Sequence, residues 1–305
     1  MNPQLPPASN SQIETITLGE LACWRIRHGA AELLISQQGA QVLSYQHDGQ
    51  PPLIWLSEQA TYQRGQSVRG GVPVCWPWFG DLSRNPPAVQ ALVAEPSSAP
   101  FHGGVRSLDW QLRLLAPDAE GIRLEFACPP AASAAHWPAA LQLELHIRLD
   151  QRLRISLLSH NRGSQPLTIS QALHSYLAVS DIRQVEVEGL ADCRYIETLE
   201  DWQERQQSGP LRFSGETDRI YQELPSRLSI RDPAWQRRVC LESHGSGSAV
   251  LWNPWIDKAQ RLSGFAADAW QRMLCIETAN VWDDCLQLAA GASHDLGVTL
   301  WSEPL

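Results

Sequence analysis

Apolar side chains recur at every second position along much of this chain, in short runs broken by glycine, proline or Asp-Gly. The clearest run, 141–149, reads Leu-Gln-Leu-Glu-Leu-His-Ile-Arg-Leu, with an aliphatic residue at every odd position. Period two puts one face of a strand on a core and the other on water or a second layer. The same grammar predicts strands over 13–18, 23–26, 32–36, 41–45, 53–56, 110–115, 122–127, 153–158 and 167–173. Further strands are predicted over 185–187, 227–230, 239–242, 249–252, 273–277, 286–288 and 294–301. Asp150-Gln151 closes a hairpin between two of these runs. Helical periodicity is scarce, with one or two turns expected over 257–262. There is no fixed repeat and no linker that marks a boundary. The expectation is therefore an all-β chain, a large antiparallel β-sandwich formed as one domain over 13–305, behind a disordered tail over 1–12.

Two stretches break the rhythm. Residues 69–80 read Arg-Gly-Gly-Val-Pro-Val-Cys-Trp-Pro-Trp-Phe-Gly, and proline at this density excludes a regular helix. The segment suits a shaped wall: its paired glycines permit close approach, its indoles offer flat faces with an N–H at one edge, and Arg69 offers a charge. A bulky core turn with a surface arginine is the competing reading. Residues 81–100, rich in proline, serine and alanine, read as a long surface loop of the kind that forms lids and binding walls.

Charge and composition remove several functions. The net charge of −9 opposes non-specific binding to nucleic acid or an anionic membrane, and no window approaches the roughly 18 apolar residues of a membrane helix. Residues 1–12 lack the basic start and apolar run of a secretory signal, so a cytoplasmic location is expected. The seven cysteines are scattered, odd in number and outside zinc-ribbon spacing, which points to reduced, mostly buried thiols. Lys258 is the only lysine; this excludes a Walker loop, leaves one candidate for a Schiff base, and makes arginine the carrier of any forked phosphate or carboxylate recognition. Acyl transfer, dinucleotide redox and zinc chemistry have no local motif.

Histidine, carboxylate and arginine remain. His102 sits in Phe-His-Gly-Gly-Val-Arg, four residues before Arg106, as a surface histidine or a ligand. His174, in Leu-His-Ser-Tyr, is either a satisfied core side chain or a proton carrier near neutral pH. Glu277, in Cys-Ile-Glu-Thr-Ala-Asn, must face solvent, find a partner, or line a cleft where burial raises its pKa. Asp218, in Glu-Thr-Asp-Arg, reads most simply as a turn residue, with ligand binding as the alternative.

Six segments, taken together and in order, resemble the hexose-6-phosphate mutarotases of the aldose 1-epimerase superfamily: 69–80, 102–106, 173–176, 216–219, the Trp-Asn-Pro-Trp of 252–255, and 275–280. The resemblance implies a galactose-mutarotase-like supersandwich that interconverts the α and β anomers of a hexose 6-phosphate, glucose 6-phosphate first, without metal or cofactor. Matched position by position, it implies His174 as general acid and Glu277 as general base. It also implies Asp218 as a sugar-hydroxyl ligand, Arg69 and Arg106 as phosphate ligands, and His102 in substrate binding. The chain departs from the family pattern at Phe101, where glutamine is common, and at Gly104 and Val105, where Phe-Ala is common. A small hexose phosphate is the expected partner, and a monomer the expected state. A non-catalytic sugar-binding module and a glycosidase using Glu277 with Asp218 are the alternatives.

Overall fold

The computed structural model describes residues 11–130 and 137–305. Its strands form two large antiparallel sheets, one of nine strands and one of eight, with a four-stranded sheet near the N-terminus and a two-stranded ribbon. The nine-stranded sheet holds the strongest alternation. In Leu141–Leu149 every odd position is buried, and the hairpin to Leu153–Asn161 pairs Leu149 with Leu153, as the sequence predicts.

The eight-stranded sheet runs Gln203–Gln206, Arg194–Glu197, Thr217–Gln222, Ser248–Asn253, Met273–Asn280, Gln171–Leu173, Val74–Cys75, and Tyr176–Ala178 also pairs with Met273–Asn280. Its central strands Ser248–Asn253 and Met273–Asn280 are buried at every position, so both of their faces are covered. The register pairs Leu251 with Ile276, Val250 with Glu277 and Trp252 with Cys275. Leu251 and Ile276 enter the main core with Leu157, Leu296, Val298 and Leu300 of the nine-stranded sheet, while Val250 belongs to a smaller cluster with Ile220, Ala172 and Ala279. The opposite face of this sheet therefore carries Glu277.

Several expectations change. Ser11 and Gln12, assigned to the tail, pair with His28 and Arg27 in strand Ser11–Leu18; residues 1–10 lie outside the described residues. The predicted strand over 53–56 is reduced to isolated bridges, Ile54 to Leu177 and Leu56 to Gly70. Residues 81–100 hold three short helices, and Leu82, Val89 and Val93 pack there against Trp78, so the segment is a folded wall. The helix expected over 257–262 starts earlier, at Trp255–Ala259. Strands Arg194–Glu197, Gln203–Gln206 and Thr217–Gln222 were not anticipated, because their charged side chains hide the alternation.

Candidate functional site

Strand Met273–Asn280 and the chain between Gln171–Leu173 and Tyr176–Ala178 build the centre of the site. Leu173 pairs with Thr278 and Tyr176 with Cys275, so continuity of register sets His174 opposite Glu277. The His174 N–H is turned to Pro73 O at 3.0 Å, which interrupts the ladder and ties this point to the 69–80 segment. Across the gap His174 Nε2 lies 3.3 Å from Glu277 Oε1, with side-chain exposures of 10% and 2%. The remaining polar atoms, His174 Nδ1 and Glu277 Oε2, are buried without a hydrogen-bond partner. Burial, the nearby Asp218 charge and the opposing pull of Arg106 leave the Glu277 carboxyl well above its ordinary range. Burial, then Arg106 and Arg69, push the His174 imidazole down to about 3. Both directions favour an uncharged pair, with the proton on Glu277 and Nε2 accepting it.

His102 adopts the left-handed conformation at φ 65° and is tied at two points: its N–H donates to Gly80 O at 2.9 Å, and the Gly80 N–H donates to its Nδ1 at 3.0 Å. An accepting Nδ1 leaves the proton of the neutral ring on Nε2. Burial, reinforced by Arg106, His174 and Arg69, holds the ring well below its ordinary pKa, so it acts as a neutral donor. Gly103 makes this crossing possible, because a Cβ there would stand 1.9 Å from Trp76 O at a φ of +76°.

All six residues singled out from the sequence (Arg69, His102, Arg106, His174, Asp218 and Glu277) line one cavity of about 780 Å³. Arg69 Nη1 reaches the Tyr176 hydroxyl at 3.5 Å and its Nε reaches Ser263 O at 3.4 Å. Arg106 Nη2 donates to Phe101 O, while its Nε is buried and unpartnered. Asp218 is on strand Thr217–Gln222, opposite Trp252, which corrects its reading as a turn residue. Burial pushes its carboxyl up to about 6 against the pull of Lys258.

Other details of 69–80 differ from the sequence reading. Gly70 and Gly71 allow backbone to approach backbone: a Cβ on Gly71 would stand 2.2 Å from Val42 O. Trp76 and Trp78 are fully buried, donating to Ser159 Oγ at 3.0 Å and Pro100 O at 2.9 Å, so they support the wall from behind. The aromatic side chains on the cavity are instead Phe79, Phe101, Tyr176, Trp202, Trp252 and Trp282. Of the three departures, Val105 is buried in the main core and a Cβ on Gly104 would meet Trp137 at 2.9 Å. Phe101 alone reaches the cavity, 60% exposed.

Lys258 was noticed as a lone lysine and a Schiff-base candidate, with no sugar-binding role, yet it lines the cavity with Asp218. Its sole sequence signal is a position six residues after the Trp252 that faces Asp218. His174, Cys275 and Glu277 bring three metal-ligand types together, with donor atoms within 4.8 Å of one another. Sequence spacing gave no sign of this trio, since His174 lies about a hundred residues before Cys275 and Glu277 along the chain. Such donors can hold zinc, with Cys275 bound as its thiolate.

Comparison with known proteins agrees with this architecture. Residues 22–301 match the family described as aldose 1-epimerase. An Escherichia coli K12 protein named "Putative glucose-6-phosphate 1-epimerase" is 32% identical over 264 residues, covering 86% of this chain and 84% of that one. The crystal structure of a "putative mutarotase" from Salmonella typhimurium superposes with a TM-score of 0.86 at 28% identity, covering 99% of this chain and 96% of its own. A galactose mutarotase-like protein from Clostridium acetobutylicum shares the fold at a TM-score of 0.73 and 15% identity, with coverage of 97% and 99%.

Proposed function

Because the chain belongs to the aldose 1-epimerase family and is a sugar mutarotase by that membership, we propose that it interconverts the α and β anomers of a hexose 6-phosphate, glucose 6-phosphate first. The observation that carries this reading is one cavity in which the His174–Glu277 pair and the arginines Arg69 and Arg106 all stand.

Anomer exchange needs one proton removed from the C1 hydroxyl and one delivered to the ring oxygen. In this reading Glu277, as carboxylate, takes the C1 proton, and His174, as imidazolium, protonates O5. The C1–O5 bond breaks as the carbonyl forms, the C1–C2 bond rotates, and the ring recloses with the roles reversed. The reactive form differs from the uncharged pair only by transfer of one proton from Glu277 to His174, so no net proton is taken up to reach it. General acid and base together need no other group, and each is worth about 100- to 10,000-fold.

Arg69 and Arg106 supply charge-assisted hydrogen bonds to the phosphate, and the unpartnered Arg106 Nε is a donor in want of such an acceptor. His102 offers a neutral Nε2–H to a substrate oxygen, and Asp218 accepts from a sugar hydroxyl. A non-catalytic binding module is not favoured, since it gives no reason for a buried histidine and a buried glutamate to be held in contact. The test is to add the protein to freshly dissolved α-glucose 6-phosphate and follow the approach to anomeric equilibrium. Acceleration over the uncatalysed rate is expected, and an unchanged rate contradicts the proposal.

A further inference from the structure

Asp81, Arg84 and Lys258 line the cavity without a role so far, and Lys258 stands beside the sugar ligand Asp218. Lys258, the single lysine of the chain, stands on the short helix Trp255–Ala259. The buried Asn253 side chain fixes the entry to that helix: its Oδ1 accepts from the Trp255 N–H at 2.9 Å, while its Nδ2 donates to Trp270 O at 2.8 Å and Met273 O at 2.9 Å. The ammonium is held as well. Lys258 Nζ donates to Glu216 Oε1 at 2.8 Å and lies 3.7 Å from Asp218 Oδ2, with the Trp252 ring centroid 5.9 Å away. Lys258, Asp218 and Trp252 all line the cavity.

This arrangement does not suit a second phosphate. Glu216 and Asp218 outnumber the one ammonium, leaving a local excess of negative charge that repels a dianion. It does suit neutral hydroxyls. A lysine has three donors; Glu216 occupies one, and 3.7 Å is too long for the Asp218 contact to occupy another as a hydrogen bond. A free donor therefore stands beside a carboxylate acceptor, over the edge of an indole.

We propose that Lys258 is a specificity-determining residue of this cavity, pairing with Asp218 to present a donor beside an acceptor to adjacent hydroxyl groups of the pyranose ring. The inference rests on the hexose-phosphate reading above and names the group that selects the sugar part of that substrate. Lys258 also sustains Asp218 as an acceptor. The charged groups facing Asp218 are Glu216 on its own segment, Glu197 on the neighbouring strand, Glu277 across the site, and Lys258. The three carboxylates all favour protonation of Asp218, and Lys258 is the cation that opposes them.

The experiment compares Lys258→Met and Lys258→Arg with the unaltered protein, by anomer exchange with glucose 6-phosphate and its 2-, 3- and 4-deoxy analogues across a pH series. In the unaltered protein, removing the hydroxyl that this pair binds should lower kcat/KM by about 10- to 100-fold, the worth of one charge-assisted hydrogen bond. Lys258→Met should raise KM for the parent substrate by a similar factor with little change in kcat, should abolish the extra penalty for that one analogue, and should move the acid limb of kcat/KM to higher pH. Lys258→Arg should restore part of each effect. If Lys258→Met does not fold, Glu216→Gln serves instead: it removes a competing carboxylate and should move the acid limb to lower pH. Unchanged deoxy-sugar penalties together with an unmoved acid limb would overturn the inference. An unaltered protein inactive on every analogue and on the parent would instead reject the hexose-phosphate reading itself.

Discussion

His174, in the gap between two short strands, meets Glu277 on the neighbouring strand, Nε2 to Oε1 at 3.3 Å, and each keeps a buried polar atom without a partner. Buried polar atoms in folded proteins are nearly always satisfied, so the pair has hydrogen-bonding capacity left for a ligand. If it acts as a unit, His174→Ala and Glu277→Gln should each lower kcat for glucose 6-phosphate by about 100- to 10,000-fold. The double variant should fall far short of the product of the two losses. Exchange NMR on the three variants measures this; multiplicative losses would mean two independent roles.

Holding Glu277 in this place should cost stability in a pH-dependent way. Its folded pKa is raised by burial, so between the ordinary carboxylate pKa and the raised value the folded state binds more protons than the unfolded state. Stability is then lost as pH rises through that window. Glu277→Gln removes the cost, so its melting temperature should exceed that of the unaltered protein by a margin that widens as the pH rises above the ordinary carboxylate range, at about 2–4 °C for each kcal/mol. Paired thermal melts across pH check the sign. A margin independent of pH would place Glu277 in a charged state already compensated by the protein.

Gly103 is a backbone requirement with a functional consequence. A Cβ would stand 1.9 Å from Trp76 O, at a φ of +76°, and the next residue back is His102. Gly103→Ala should destabilise the fold by about 1–3 kcal/mol from backbone strain alone, more if Trp76 must shift, and should raise KM by displacing His102. A urea titration with parallel kinetics checks this. Native stability with native KM would show that the Trp76–Gly103 crossing relaxes freely.

Much of this was legible in the sequence, for physical reasons that differ by residue. The alternation at Leu141–Leu149 is visible because a strand with one buried face must place its aliphatic side chains on that face. Glu277 stood out as a carboxylate within apolar neighbours, and the structure buries that whole strand. Asp218 was misplaced because its strand, Thr-Asp-Arg-Ile-Tyr-Gln, carries its charges in pairs: Arg219 Nε is satisfied by Glu197 Oε2 at 2.7 Å, a cross-strand partner that local pattern cannot reveal. The flat indole faces of Trp76 and Trp78 left open whether they meet a ligand or support the wall from behind, since a buried indole and a cavity-facing indole have the same sequence; the hydrogen bonds to Ser159 and Pro100 show that they support it. Lys258 was read only as a lone lysine and Schiff-base candidate because its partners Glu216 and Asp218 lie far back along the chain, at the start of strand Thr217–Gln222.

As phosphate ligands, Arg69 and Arg106 would make this cavity one for a phosphorylated sugar. Side-by-side exchange NMR with glucose 6-phosphate and glucose tests it most directly, on the unaltered protein and on Arg69→Ala and Arg106→Ala. The expected result is a higher kcat/KM for the phosphate ester, and a rise in its KM of about 10- to 100-fold in each variant while the values for glucose stay nearly constant. Equal turnover of the two sugars, or equal damage to both by the arginine changes, would contradict it.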